Sequence, residues 1–450
     1  MGTSTPASVC TKLERIAELA RRAPAMPMRT LAHHIDVEWL AEAYRRTRKD
    51  GAVGVDGQTA EQYGKALEQN LQSLLDRVKA GRYRAPPVRR VYIPKANGRE
   101  MRPLGIPAFE DKVLQRAVVM VLEAVYEQDF LSCSYGFRPG RSAHDALDDL
   151  RDQLMEMRGG WVLEIDFRNY FGSIDHGHLQ EALRQRVTDG SLLRLISKWL
   201  HAGVMENGAL SYPTSGTPQG GVISPMLANV FLHVVLDTWF EQDVKPRLNG
   251  PARLIRYADD AVLVFANESD ARRVLEVLPK RCEKYGLTLH PTKTKLIEFR
   301  KPDRAPPRGN PSRGDGPKGN STFDLLGFTH YWELSRPGRW VIKRKTARDR
   351  FRAAMKRVNA WCRQHLHDPV REQWRKLSQK LRGHYAYYGI AYNSQALGRF
   401  EYNVCIAWWH ALRRRSQRPM PWVKMARLLK LFPLPQPRIV RPLRRSSAKP

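Results

Sequence analysis

The stretch RYADDAVLVF (256–265) sets two adjacent carboxylates, Asp259 and Asp260, at the edge of an apolar run fit for a buried strand. A third carboxylate, Asp166, ends another such run, WVLEID (161–166). Neighbouring side chains on a strand point to opposite faces, so two adjacent aspartates serve one site only where the chain bends. YADD between two strand-like runs therefore reads as a hairpin turn. Alone, the dipeptide fits a solvated turn better than a site, because aspartate is a common turn residue. With Asp166 the case changes: three carboxylates gathered at one sheet edge repel one another and need cations to hold them. Two Mg²⁺ ions about 3.5–4 Å apart, with Mn²⁺ as the alternative ion, would supply that charge and activate a 3′ hydroxyl for in-line attack on a phosphate.

Strands and helices must interleave to position these acids. Arg253–Tyr257 and Ala261–Ala266 read as the strands flanking the acidic turn, and Trp161–Asp166 as a buried strand. Residues 109–131 carry apolar positions at helical spacing, and Ser142–Met157 is a helix opened by Ser142 with Asp145 three residues on. Leu179–Val187 and Leu192–Leu200 are short helices, and Gly221–Trp239 is a longer apolar one. PVRRVYIPKANGREMRPLGIP (87–107) reads as a hairpin turning at Ala96–Arg99, decorated by Arg89, Arg90, Lys95, Arg99 and Arg102. It is either a solvated basic hairpin or one that faces phosphates. The alternation predicts an α/β or α+β layer, not a bundle.

The 450 residues carry 76 Lys plus Arg against 45 Asp plus Glu, a net charge of +31, with 42% hydrophobic content. That is enough for two or three domains with real cores, in a positive field that favours polyanions, nucleic acid first and an anionic membrane surface second. No apolar run reaches the roughly 18 residues needed to span a bilayer. The scattered cysteines (Cys10, Cys133, Cys282, Cys362, Cys405) form no CxxC pair, which argues against a zinc ribbon or a disulfide framework. The start MGTSTP lacks both a myristoylation pattern and a signal-peptide core, while the Arg-rich opening leaves an organellar address open. Residues 301–320, rich in Pro and Gly, are expected to be a flexible excursion, and a domain boundary is expected near 335.

YADD (257–260), SYGFRPGRSAHDAL (134–147) and GTPQGGVISPMLANVFLHVVLD (216–237) are followed or accompanied, in order, by RPLGIP (102–107), KWLHAGV (198–204), LHPTKTKL (289–296) and FDLLGF (323–328). Together they resemble the reverse transcriptases encoded by group II introns over about residues 50–420. The resemblance implies an α+β right-hand polymerase whose fingers and palm carry an antiparallel sheet, followed by an α-helical thumb or X domain. It implies an N-terminal helical extension and the start of the fingers over 1–87, the fingers and palm of the reverse transcriptase domain over 88–335, the thumb over 336–420 and a basic Pro-rich tail over 421–450. Asp166 and Asp259 would hold two Mg²⁺ ions with the Phe167 carbonyl, and Asp260 would complete the set. Phe171 would be the steric gate that excludes a ribose 2′-OH, although it also fits a core position. Lys95 and Arg102 would clamp the triphosphate, Gln219 would line the incoming nucleotide, and Lys293 would add a phosphate contact in competition with Lys295. One departure is visible: where the family commonly reads DIKGFFDNIDH this chain has DFRNYFGSIDH, so the inner acid is Gly172.

From Lys345 onward, apolar helical faces alternate with dense Arg and Lys and with aromatics such as HYAYYGIAY (384–392) and Trp408–Trp409. Such surfaces stack on bases and grip phosphates, while about half of the aromatics are expected to be helix packing. Arg89, Arg90, Arg138, Arg141, Arg413, Arg414 and Arg415 are the expected nucleic-acid contacts. The partners implied are intron RNA, an RNA template with a DNA primer, target DNA and deoxynucleoside triphosphates, with no membrane. The implied nucleotidyltransferase belongs to a mobile element, acts also as maturase in RNA splicing, and works in the cytoplasm beside nucleoid or ribonucleoprotein. No HNH endonuclease pattern follows, so no second-strand cleavage is expected. Two other readings remain: an RNA-binding splicing cofactor with little polymerase activity, and a reverse transcriptase domesticated for defence.

Overall fold

The computed structural model describes residues 5–24, 26–94, 100–212, 215–217, 220–302, 321–415 and 419–442. It divides into two compact units, one of residues up to Ile93 with Met101–Glu298, the other of the chain from Phe299 onward grouped with Pro94–Glu100. The division thus falls at Glu298–Phe299 and not near residue 335. The reason is packing: the Phe299 ring meets Phe323 at 4.9 Å and Trp332 at 5.9 Å, and Trp332 Nε1 donates to the Phe299 carbonyl at 3.3 Å. Residue 335 falls instead in the turn between the paired strands Phe328–Leu334 and Trp340–Thr346, inside the sheet of the second unit, whose first helix begins at Arg348.

Two sheets organise the first unit. One has the order β2-β1-β4-β5, with β1 Val88–Pro94, β2 Met101–Ile106, β4 Val204–Glu206 and β5 Ala209–Ser211. The expected hairpin strands are thus neighbours, while its turn, residues 95–99, lies outside the described residues. The other has the order β6-β7-β3-β8, with β3 Gly159–Ile165, β6 Ala252–Tyr257, β7 Asp260–Phe265 and β8 Lys295–Arg300. Strand β7 runs antiparallel to both neighbours, with Tyr257 opposite Asp260 and Ile165 opposite Ala261. Its run Ala261–Phe265 is buried throughout, as a central strand covered on both faces must be. Helices Ala143–Glu156 and Glu268–Lys284 pack on this sheet. Ser142 caps the first of these helices by accepting the Asp145 N–H. Helix Phe109–Tyr126 is buried almost around its whole circumference, which explains why its sequence is apolar at nearly every core-facing turn.

The apolar segment 221–239 is not one regular helix. Ser224–Leu232 is α-helical, and His233–Val244 continues as a widened helix in which Thr238 Oγ1 donates to the His233 and Val234 carbonyls. Such widened turns are uncommon and recur at functional sites.

The second unit holds a sheet of order β11-β10-β9 (β9 Phe323–Leu325, β10 Phe328–Leu334, β11 Trp340–Thr346) and helices Arg348–Gln364, Val370–Tyr388, Ser394–Arg413 and Trp422–Leu431. Leu377, Leu381, Tyr385 and Trp408 centre its core, and Trp408 Nε1 donates to Gln373 Oε1 at 2.7 Å. Within the span expected to be a basic Pro-rich tail, residues Trp422–Leu431 are helical, anchored by the fully buried Met425. Residues 303–320, most of the expected excursion, lie outside the described residues. Among the described residues no helix is long and apolar enough to cross a membrane.

Candidate active site

Strand register brings the three acids together at one edge of the palm-like sheet. Because Ile165, the last residue of β3, lies opposite Ala261, continuing that register past the strand end sets Asp166 beside Asp260, and Asp259 occupies the turn that joins β6 to β7. Burial, with the charge on Asp166 added to it, pushes the Asp259 carboxyl up from its ordinary value, and Arg102 and Arg256 oppose that shift. Lys293 Nζ sits 3.2 Å from Asp166 Oδ2 and is a counter-charge to that acid. The acids stand along an edge and not around one point: among the described residues no three His, Cys, Asp or Glu side chains converge to hold a single ion.

The segment after Asp166 is fixed by a short pairing. Arg168 N–H donates to the Thr288 carbonyl at 2.8 Å and His290 N–H to the Asp166 carbonyl at 2.7 Å. Phe167 and Leu289 face each other between these two bonds, so the Phe167 carbonyl takes no part in the pair. Phe171 is half-buried, edge-on to Tyr170 at 5.2 Å, and its carbonyl accepts the Thr217 N–H at 2.8 Å. The GTPQGG loop is therefore anchored on the aromatic turn: Gly216 N–H also donates to Ile174 O at 2.8 Å, and His176 Nε2 donates to the Gly216 carbonyl at 2.7 Å. At its far end Gln115 Oε1 accepts the Val222 N–H at 2.8 Å and the Ile223 N–H at 3.3 Å. Gln219 itself, like Lys95, lies outside the described residues.

The departure at Gly172 has a local counterpart. A Cβ built on Gly172 would meet Asn169 Nδ2 at 2.3 Å, and Asn169 stands in the left-handed region at φ 50°. Asparagine tolerates that conformation, and its side chain fills the space that an acid at 172 would need.

Behind the acidic turn lies a group of residues that the sequence reading missed. Arg256 is completely buried, and each of its five N–H groups has an acceptor: Nε meets Asp237 Oδ1 at 2.7 Å, and Nη2 meets Asp237 Oδ2 at 2.6 Å and Ser134 Oγ at 2.8 Å. Nη1 meets Asn229 Oδ1 and the Ala258 carbonyl, both at 3.0 Å. Ala258, inside the YADD turn, has φ 58°, a left-handed backbone that costs about 1–2 kcal/mol outside glycine. The Arg256 bond to its carbonyl holds that turn. Asn229 Nδ2 also donates to the Gly136 carbonyl at 2.7 Å, and Gly136 lies so close that a Cβ there would stand 2.3 Å from Ala258 N. Thus SYGFRPGRS, the helix after GTPQGG and the YADD strand meet at one guanidinium. The signal in the sequence was a charged residue one position before YADD, directly after the apolar pair Leu254–Ile255 of the strand.

The expected nucleic-acid arginines divide. Arg138 departs from the expectation: it is buried, pairs with Glu127 at 2.9 Å and donates to the Leu131 and Ser134 carbonyls, so its valence is spent inside the fold. Arg89 gives Nε and Nη2 to the Val53 carbonyl, and Arg90 stands 4.0 Å from Glu206. Arg141 donates to the Ser132 carbonyl and lies 5.2 Å from the Tyr135 ring. In the second unit Arg413, Arg414 and Arg415 are exposed, with Arg413 over the Trp409 ring at 4.8 Å and Arg415 bonded to the His367 carbonyl.

The sequence pattern of the family described as "Reverse transcriptase (RNA-dependent DNA polymerase)" matches residues 93–330. Among curated proteins, the chain is 41% identical over 251 residues to Protein YkfC of Escherichia coli (strain K12), covering 54% of this chain and 64% of that one. It is 43% identical over 166 residues to the Group II intron-encoded protein LtrA of Lactococcus lactis subsp. cremoris, covering 37% of this chain and 27% of that one. A more distant relative is Nuclear intron maturase 4, mitochondrial, of Arabidopsis thaliana, 28% identical over 130 residues, or 29% of this chain and 16% of that protein. The matched part is less than two thirds of the length of each of these relatives.

Proposed function

The chain belongs to the reverse transcriptase (RNA-dependent DNA polymerase) family, and on that premise we propose that it copies RNA into cDNA and serves a group II intron as maturase, in splicing and in mobility. The observation that carries the polymerase reading is the register that sets Asp166 beside the Asp259–Asp260 turn. Its partners in this reading are intron RNA, an RNA template with a DNA primer, target DNA and deoxynucleoside triphosphates. The helical part over 336–420 would be the thumb or X domain, with Arg413, Arg414 and Arg415 on its nucleic-acid side.

The donor set suits a hard divalent cation. Two mutually repelling carboxylates, Asp166 and Asp259, are joined as candidate donors by the Phe167 carbonyl, which follows Asp166 in the chain and is left unused by its bridge to Leu289, and carboxylate and carbonyl oxygens are what Mg²⁺ prefers. Asp166, Asp259 and the Phe167 carbonyl would hold it, with Asp260 adding charge. When bound, such ions lower the pKa of a 3′ hydroxyl and offset charge on the transferring phosphate. The protein's own groups do the rest. Arg102 and Lys293, both within electrostatic reach of the acids, would grip the triphosphate, so that Lys293 exchanges Asp166 for a phosphate oxygen. Phe171, tied through its carbonyl to the GTPQGG loop, would close the sugar pocket against a 2′-hydroxyl. Arg256 holds the turn so that Asp259 need not reorganise during the step.

Primer extension on poly(rA) with oligo(dT) and Mg²⁺ tests this reading. Asp259→Ala is expected to abolish extension while leaving salt-sensitive RNA binding nearly intact; comparable extension by the variant refutes the site. If wild type binds RNA and extends nothing, the chain is a splicing cofactor without polymerase activity.

A further inference from the structure

Phe137, in the middle of SYGFRPGRS, is 56% exposed and has φ 56°. Both properties run against the residue type: a phenyl ring gains by burial, and the left-handed region disfavours any residue with a Cβ. Its neighbours show that the exposure is imposed by the fold and is not slack. On one side Tyr135 N–H is bonded to the Arg256 carbonyl at 2.8 Å and the Gly136 carbonyl to Asn229 Nδ2 at 2.7 Å. On the other, the Arg138 guanidinium is buried against Glu127 and the Leu131 and Ser134 carbonyls. Residues 134–138 are thus pinned on both sides of 137, and the pinning drives one aromatic ring outward. A strained, exposed outlier held by its surroundings is a reason to look for a ligand.

The direction in which it stands identifies the ligand. The Phe137 ring centroid is 6.2 Å from that of Tyr257, the residue that leads into Ala258, Asp259 and Asp260. The ring carries no hydrogen-bonding group, so it can offer only a flat apolar face, and a nucleobase or sugar face suits it. In a polymerase, the nucleotide held beside the acidic turn is the one whose 3′ hydroxyl attacks. We propose that Phe137 is the stacking surface for the terminal nucleotide of the primer, a role that rests on the polymerase reading above. It fixes where that nucleotide lies relative to Asp259 without choosing its base.

Steady-state extension of oligo(dT) on poly(rA) by Phe137→Gly, Phe137→Ala and Phe137→Tyr, with thermal melting of each, tests the assignment. Glycine relieves the backbone strain, so the melting temperature of Phe137→Gly is expected to hold or rise. Its KM for primer should nonetheless increase roughly five- to a hundredfold, the range of one base stacked on an aromatic ring, while KM for dTTP stays within about twofold. Phe137→Tyr should retain wild-type primer KM. An unchanged primer KM in Phe137→Gly overturns the proposal. So does a fall in melting temperature with an equal loss of both KM values, which would mean that the ring packs against protein. If wild type extends no primer, the polymerase reading fails, and fluorescence anisotropy with the same labelled primer–template decides for Phe137: equal affinity of wild type and Phe137→Gly overturns it, and a five- to hundredfold loss supports a stacking role.

Discussion

Replacing Arg256 with lysine would keep the charge and remove the fork. The guanidinium gives five hydrogen bonds to Asp237, Ser134, Asn229 and the Ala258 carbonyl, all in the buried interior. An ammonium offers three donors from one atom, so at least two of those bonds are lost, and the acceptors are too deep for water to replace them. At about 1–3 kcal/mol for each buried group left unpaired, Arg256→Lys should destabilise the first unit by about 2–6 kcal/mol. Arg256→Met would also strand the fully buried carboxylate of Asp237, at about 3–5 kcal/mol. The informative variant is the pair Arg256→Met with Asp237→Leu. Replacing a buried ion pair by apolar side chains of similar volume is often close to neutral in stability, so most of the fold's stability should return. The tether to Ala258 would still be missing, so primer extension should stay at least tenfold low. Urea unfolding followed by tryptophan fluorescence measures the first effect and extension on poly(rA) the second. Arg256→Lys within about 0.5 kcal/mol of wild type, or full extension by the double variant, would refute the claim that this guanidinium holds the catalytic turn.

Two further outcomes follow from the same fold. Asp111, buried on helix Phe109–Tyr126, has its carboxyl pushed up from 3.8 to about 7 by burial, against the opposing hydrogen bond from Tyr83 Oη at 2.5 Å. A raised folded-state pKa contributes stability that is complete below about pH 4 and is lost as pH climbs through 7. Asp111→Asn should therefore flatten the dependence of melting temperature on pH between 4 and 7 and be the more stable form at pH 8, by up to the order of 4 kcal/mol; parallel profiles would contradict this. Gly136→Ala would push a methyl against Ala258 N and Tyr257 C, at 2.3 and 2.9 Å, both backbone atoms that cannot swing away. Extension should fall at least tenfold and stability by about 1–3 kcal/mol, and wild-type values for both would show that the turn has more room than its geometry allows.

Several things about this protein were legible in the sequence because they depend on residue types and short spacing. The charge balance pointed to polyanions, the apolar runs with terminal acids to strands that end at a site, and the motifs to a reverse transcriptase with an α+β fold. Ser142 as a cap and YADD as a turn between strands are local choices, and local chemistry was enough to read them. Other features were set by contacts between residues far apart in the chain, which no periodicity reports. Arg138 looked like a phosphate ligand until Glu127 and the Leu131 and Ser134 carbonyls closed around it. The boundary moved back to Phe299 because an aromatic cluster with Phe323 and Trp332 decided it, while composition changed only later. The helix after GTPQGG widens at His233–Val244, which a search for 3.6-residue periodicity reads as continuous. Above all, the sequence by itself determined which acids could do the chemistry, and only the tertiary structure decided what holds them. A guanidinium can satisfy five acceptors only when three distant segments converge on it, and that convergence exists in the folded chain alone.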